Sequence, residues 1–235
     1  MTSQRTSLKK ELRAFIDEEK AEFLPTFFKA VPGGYGEGDR FLGIIVPNIK
    51  KVARDYRDLE TSDIEKLLQS QWHEERHCAL QILAHKFAKG DDAAKAKVYR
   101  LIKKHISQVN NWDLVDLVGT KIVGPFLWDD DRQQLYKWSR SRSLWRRRIA
   151  IISCFHFIKN QDYDDAIALC EAYLADPEDL IHKASGWMLR EIAKQSPRTH
   201  KRFLANYVRE MPRTMLRYSI EHLPSVERQK WLKKV

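Results

Sequence analysis

Residues 144–154 read Leu-Trp-Arg-Arg-Arg-Ile-Ala-Ile-Ile-Ser-Cys, and this stretch decides the fold class. Its apolar run, from Ile149 to Cys154, is the longest in the chain but far too short to span a bilayer, so we expect a buried helix. Comparable helix starts occur near His73, Asn111, Leu144, Asp179 and Pro212. Their separations are 38, 33, 35 and 33 residues, about the length of a two-helix repeat, which predicts an α-solenoid.

Shorter amphipathic segments fill the intervals between these starts. They lie at residues 61–70, 91–105, 131–140, 162–174 and 197–209, and residues 7–30 predict one or two further helices. A glycine-rich loop follows over residues 31–39. We therefore expect an all-α protein with one domain over residues 1–235. Residues 1–40 form its N-terminal helices and loop, and residues 41–235 form helical repeats that curve to leave a concave face.

The charge of the chain indicates a polyanionic partner. Lys and Arg number 42 against 32 Asp and Glu, which gives a formal charge of +10 and a pI of about 9.5. Nucleic acid and anionic membrane are the leading partners, and a solvated basic surface without a partner is the alternative. The N-terminal residues alternate in charge and contain no apolar segment of a signal peptide, which disfavours the membrane. Three cysteines without CxxC spacing indicate a reducing cytoplasm.

The first candidate site lies just after Asn111, a good N-cap residue. Trp112 and Asp116 are four residues apart and therefore share one face of the predicted helix. An aromatic ring beside a carboxylate suits the binding of a cationic nucleobase or sugar. A core tryptophan beside a surface aspartate fits the same pattern, so the pattern alone leaves both interpretations open.

Three consecutive arginines, Arg146, Arg147 and Arg148, precede the apolar run. They point to three sides of the helix, so at least one must lie close to buried surface. An arginine in that position usually has an anionic partner, either a carboxylate or a phosphate. Solvent-facing charge is the alternative for the others.

Two later helices carry basic faces. Lys183, Trp187 and Arg190 follow the spacing i, i+4, i+7, which suits a surface that follows a nucleic-acid backbone and stacks on bases. A core tryptophan flanked by long cationic side chains is the alternative. Arg213 and Arg217 lie four residues apart after Pro212, which we expect at position N1.

The segment from His73 to His77 matches HExxH, the helix motif of zinc proteases. The match lies at a helix start, and no further GxxH or nearby glutamate completes a ligand set. We therefore expect a polar helix start and no metal site.

Several segments together resemble the bacterial AlkD-type DNA alkylation repair glycosylases, whose fold is a HEAT-like repeat solenoid. The likeness runs from about residue 20 to the C-terminus. Its segments, in order, are Phe41–Ile44, Asn111–Asp116, Trp145–Ala150, Lys183–Glu191 and Met211–Arg217.

This resemblance implies a concave basic face that holds duplex DNA. It places the catalytic aspartate on Asp116, the two wall tryptophans on Trp112 and Trp187, and the active-site arginine on Arg148. Arg190 corresponds to an arginine expected on the DNA backbone. Lys183, Arg147, Arg213 and Arg217 are further candidates for DNA contacts. Phe27 occupies the position of a family tyrosine, so that contact lacks its hydroxyl group.

The activity that the resemblance implies is hydrolysis of the N-glycosidic bond of positively charged N3- or N7-alkylpurines in duplex DNA. Such a base departs without protonation, so neither a metal nor an organic cofactor is required, and we expect a monomer. The absence of a lysine at the Asp116 position fits a monofunctional enzyme. The alternatives are a DNA-binding repeat protein without catalytic activity and a protein–protein scaffold.

Overall fold

A computed structural model describes residues 3–234. Within that range the backbone is helical and forms no β-strand, apart from one isolated bridge between Arg40 and Trp72. The prediction of an all-α protein is confirmed. None of the helices in the described part of the chain is long and apolar enough to cross a membrane. The chain forms two compact units, Met1–Ile122 and Val123–Val235, which are described separately.

The first unit contains seven α-helices and a short 3-10 helix among its described residues. These are α1 (Gln4–Arg13), α2 (Glu18–Phe27), α3 (Val46–Asp55), α4 (Thr61–Leu68), α5 (His73–Lys89), α6 (Asp92–Lys104), the 3-10 helix Ile106–Gln108 and α7 (Trp112–Val118). Polar side chains fix several of the starts: Asp17 accepts from the Lys20 amide, Asp91 from the Ala94 amide, and Asn111 from the Trp112 amide. The Asp17 cap explains why residues 7–30 form two helices.

Helix α5 is the centre of the first unit. It packs against α3, α4, α6 and α7 and buries a long apolar stripe that includes Leu80, Ile82 and Leu83. Burial of a leucine or isoleucine side chain contributes about 2 kcal/mol each, so this stripe is a main source of stability for the unit.

The second unit begins within a π-helical turn, Gly119–Val123, and continues through eight α-helices among its described residues. These are α8 (Gly124–Trp128), α9 (Gln133–Ser139), α10 (Leu144–Lys159), α11 (Asp164–Ala172), α12 (Asp179–Gln195), α13 (Pro197–Tyr207), α14 (Arg213–Ser219) and α15 (Ser225–Leu232). Helix α12 packs between α10 and α14, and both contacts are extensive.

The close approach of α12 to α14 depends on Gly186. A Cβ atom at this position would lie 2.6 Å from the carbonyl oxygen of Met215 and 2.6 Å from Cβ of Tyr218. Carbon atoms do not approach a backbone oxygen so closely, so only glycine allows the two helices this separation.

The predicted helix starts near His73, Asn111, Leu144, Asp179 and Pro212 are confirmed within one residue. Pro212 differs in detail, since it occupies the N-cap of α14 and not position N1. The pattern missed α3, α8 and α15. Helix α3 begins after Ile45 without a side-chain cap, and α8 has only 5 residues, so neither gives a strong local signal.

Candidate functional site

Trp112 and Asp116 lie on one half-exposed face of α7, as their spacing predicts. The opposite side of the helix is buried and contains Leu114, Val115 and Val118. Leu117, between these faces, is half-buried. The indole ring and the carboxylate are therefore both partly exposed on the same side of this helix.

Trp112 lies against a cluster of phenylalanine rings from the N-terminal segment. The Phe28 ring stacks on it with centroids 5.2 Å apart and planes 25° apart, and Phe27 meets it edge-on at 5.9 Å. Phe28 in turn stacks on Phe41 at 5.1 Å. Phe28 and Phe41 are buried, whereas Phe27 is 50% exposed. The structure thus brings Phe27 and Trp112 together, two of the residues that the sequence selected.

A buried charge network lies beside these rings. His73, the first residue of α5, bonds through Nδ1 to Oδ2 of Asp39 and through Nε2 to Oδ2 of Asp113, both at 2.8 Å. Arg76 bonds through Nη2 to the other oxygen of Asp39 at 2.6 Å. Nδ1 of His77 lies 3.4 Å from the same Oδ2 of Asp113. The network connects the loop before α3, helix α5 and the first turn of α7.

Opposite charges decide the protonation of this network. Burial opposes a charged imidazole, but attraction to Asp113 and Asp39 outweighs it and raises the pKa of His73 to about 9. Burial likewise opposes the two carboxylates, but the attraction of His73 holds the pKa of Asp113 well below its usual range. His73 and Arg76 together lower the pKa of Asp39. At neutral pH the network therefore consists of an imidazolium between two carboxylates.

His73, His77 and Asp113 are also the group within residues 3–234 whose nitrogen and oxygen atoms lie close enough to share a metal ion, all within 4.8 Å. With its pKa raised to about 9, His73 carries a hydrogen on both ring nitrogens at neutral pH, and each N–H donates to a carboxylate. In this protonation state the ring has no free lone pair, so a metal ion would have to displace a proton from it.

Glu74, the glutamate of the HExxH segment, binds backbone amides inside the protein. The Glu74 carboxylate accepts from the amides of Leu42, Gly43 and Ile44 at 2.9–3.3 Å and is only 1% exposed. It thus anchors the loop before α3. The expected polar helix start is confirmed, but all of residues 73–77 are buried.

In the second unit, two of the three arginines at the start of α10 bind acceptors inside the protein. Arg148 is buried and donates through Nη1 to the carbonyl oxygen of Leu180 at 2.6 Å. Arg147 pairs with Asp176 through Nε at 2.8 Å and Nη2 at 3.3 Å, while Arg146 is exposed. The expectation of at least one arginine near buried surface is confirmed. The guanidinium of Arg147 joins α10 to the loop before α12, and DNA contact by it stays a prediction.

Trp187 is half-buried on α12, where it packs against the Phe155 ring at 5.7 Å and donates to Glu191 at 3.1 Å. Arg190, one turn further along, pairs with Glu221 of the segment after α14. Lys183 pairs with Asp179 at 2.8 Å. The basic and aromatic face predicted for this helix therefore exists, and its cations are partly neutralised by neighbouring carboxylates.

Arg213 and Arg217 are both exposed on α14, and Arg213 donates to the carbonyl oxygen of Leu232 at 3.1 Å. Arg217 lines a polar cavity of about 380 Å³ with Lys183 and Thr214. A cavity of about 680 Å³ between α5 and α6 contains none of the predicted site residues.

Sequence reasoning missed Asp39, His73 and Asp113 as a connected group. The partners of His73 are 34 and 40 residues away, so no local spacing joins them. One signal was present: the polar residues 73–77 directly precede a strongly apolar stripe in the same helix. Polar residues at the buried end of a central helix need polar partners.

The fold and these side chains define the class of the molecule, an all-α helical-repeat protein with basic, aromatic-bearing helix faces. Residues 8–223 match a family described as DNA alkylation repair enzyme, and the chain therefore belongs to that family. No curated protein matches the sequence.

Two solved structures share the fold. A predicted DNA alkylation repair enzyme from Enterococcus faecalis has a TM-score of 0.71 and 16% sequence identity, covering 89% of this chain and 97% of its own. The smu.31 protein from Streptococcus mutans UA159 has a TM-score of 0.50 and 18% identity, covering 99% of this chain and 97% of its own. At these identities the likeness shows the fold alone.

Proposed function

We propose that this protein is a monofunctional DNA N-glycosylase that removes positively charged N3- or N7-alkylpurines from duplex DNA. The observation that carries the proposal is the pairing of Trp112 with Asp116 on one half-exposed face of α7. Membership of a DNA alkylation repair family supports an alkylated base as the target.

The chemistry requires stabilisation of a cation and placement of one water molecule. An alkylpurine with a formal positive charge departs as a neutral base, and the C1′–N bond electrons leave with it. The deoxyribose becomes an oxocarbenium-like cation, which a carboxylate stabilises electrostatically. We assign this role to Asp116, which also orients the water that attacks C1′. The electron-rich face of Trp112 contacts the cationic base or its sugar.

Residues of the second unit contribute further contacts in this proposal. On the second unit, Trp187 provides an aromatic ring and Arg190 binds a phosphate of the DNA backbone. Arg148 is buried and donates to the Leu180 carbonyl oxygen, so its contact with phosphate stays a prediction. Lys183, Arg147, Arg213 and Arg217 bind the DNA backbone. Phe27, exposed beside Trp112, provides an apolar contact only, because it lacks the hydroxyl group of a tyrosine.

Neither a metal nor an organic cofactor takes part in the proposed reaction, because the substrate already carries the charge that drives departure of the base. The net charge of +10 favours duplex DNA as partner through counterion release. We expect a monomer that acts in the bacterial cytoplasm, where buried free thiols such as Cys78, Cys154 and Cys170 remain reduced.

The test is base release from a duplex that carries one N7-methylguanine, measured for the parent protein and for Asp116→Asn. Loss of the carboxylate charge removes stabilisation of the sugar cation, so release falls about a hundredfold. Asp130→Asn, which removes the same charge from an exposed loop, is the control and keeps the parent rate. Binding without release above the spontaneous rate, across a panel of alkylated bases, would establish the non-catalytic DNA-binding protein instead.

A further inference from the structure

We propose that His73 is a positioning residue for the reaction: it fixes the ring of Trp112 by holding Asp113 on one side and Phe28 on the other. This inference rests on the proposed function, in which Trp112 contacts the alkylated base. His73 itself does not touch the DNA, because it is only 2% exposed.

Two independent connections run from His73 to Trp112. The first runs through the backbone of α7. Nε2 of His73 bonds at 2.8 Å to Asp113, which directly follows Trp112 in the first turn of this helix. The second is through rings: the His73 ring lies 5.0 Å from Phe28, and Phe28 stacks on Trp112 at 5.2 Å. The imidazole therefore constrains both the backbone and one face of the indole.

The attachment of Asp113 depends on the two histidines of α5. Its Oδ2 accepts a hydrogen bond from Nε2 of His73 at 2.8 Å and lies 3.4 Å from Nδ1 of His77. Its Oδ1 is buried without a hydrogen-bond partner among residues 3–234. An ionised, buried carboxylate with one unpaired oxygen is held mainly by its one strong charged contact. That contact is His73.

His73 is itself held rigidly. The charged and titratable groups that face it are Asp39 from the loop before α3, Asp113 from α7, and His77 and Arg76 from its own helix. Asp39 is fixed by Arg76, and the rings of Phe28 and Phe41 cover the imidazole at 5.0 and 4.9 Å. Aromatic faces stabilise a cation, so this enclosure favours the imidazolium.

Loss of the His73 proton breaks this arrangement. A neutral imidazole has one N–H, so one of its nitrogens must face a carboxylate with a lone pair. Either Asp39 or Asp113 then loses its hydrogen bond in a buried environment, and repulsion displaces it. If Asp113 moves, the first turn of α7 moves with it, and Trp112 no longer lies where the base requires it.

The first experiment is the pH profile of single-turnover base release between pH 7 and 10, corrected for spontaneous release, with His73→Gln and His85→Gln. His85 lies on the same helix outside the network and is the matched control. We expect the parent and His85→Gln to lose about tenfold in rate, with a midpoint near 9. His73→Gln should be about tenfold slower at pH 7 and flat to pH 10, with its affinity for undamaged duplex unchanged. If the release rate of His73→Gln fell at alkaline pH with the same midpoint as that of the parent, the proposal would be overturned.

The second experiment needs no activity. The indole N–H signal of Trp112 in a ¹H–¹⁵N spectrum, assigned by its absence in Trp112→Phe, is followed over the same pH range. We expect it to shift in the parent with a midpoint near 9 and to stay constant in His73→Gln. A constant signal in the parent would overturn the proposal. A shifting signal in a protein that releases no base would refute the proposed glycosylase while supporting the link between His73 and Trp112.

Discussion

Replacement of Glu74 by glutamine tests whether the HExxH segment has a structural role. The carboxylate accepts from three consecutive amides, those of Leu42, Gly43 and Ile44, at 2.9–3.3 Å. Glutamine keeps one acceptor oxygen, but its NH₂ group faces backbone N–H donors and the charge is lost. Hydrogen bonds to a charged group are worth roughly 1.5–3 kcal/mol, and a buried unpaired donor costs roughly 1–3 kcal/mol. We expect the variant to lose about 3 kcal/mol of unfolding free energy.

The assay is urea unfolding followed by circular dichroism, together with hydrogen exchange of the amides of residues 42–44. Those amides should exchange faster in Glu74→Gln than in the parent. Glu65→Gln is the control: Glu65 pairs with Lys104 and His105, but its side chain is 25% exposed and solvent screens these pairs, so the loss should be clearly smaller than in Glu74→Gln. Parent-like stability and amide protection in Glu74→Gln would refute this reasoning.

The remaining predictions concern helix packing and two histidines. Gly186→Ala places Cβ 2.6 Å from the Met215 carbonyl oxygen, so urea unfolding should show a loss of about 2 kcal/mol; an unchanged midpoint would contradict the close packing. The raised pKa of His73 stabilises the fold fully below pH 6.5, and this contribution of about 3 kcal/mol is lost as pH rises to about 9. Unfolding measured at pH 6 and 9.5 should show the loss in the parent and not in His73→Gln. Burial and the nearby His222 lower the pKa of His200 to about 4, so the free energy of unfolding falls as the pH drops from 6.5 to 4. His200→Gln should reduce that fall, and an acid unfolding profile identical to the parent's would disprove this.

The sequence predicted most of the helices because their signals are local. Asn111 caps α7, and the apolar run Ile149–Cys154 lies inside α10, which begins five residues earlier at Leu144. The shared face of Trp112 and Asp116 follows from helical geometry alone. Assignment of particular roles to these two residues came from the family resemblance and not from the pattern.

The sequence did not predict the interactions that hold these elements together. The carboxylates that charge His73 come from residues 39 and 113, and the partner of Arg147 is 29 residues away at Asp176. Such pairs form only when tertiary packing brings distant segments together, and nothing in their spacing marks them. The burial of residues 73–77 has the same origin, because how much of the start of α5 is exposed depends on which distant segments pack against it.

The most direct test of the central claim separates catalysis from binding on a single substrate. Dissociation constants and single-turnover rates are measured for the parent, Asp116→Asn and Asp130→Asn with the same duplex containing one N7-methylguanine. We expect Asp116→Asn to bind the duplex with parent-like affinity and to release the base about a hundredfold more slowly, while Asp130→Asn matches the parent in both. Equal release rates for the parent and Asp116→Asn would show that Asp116 is not the catalytic carboxylate.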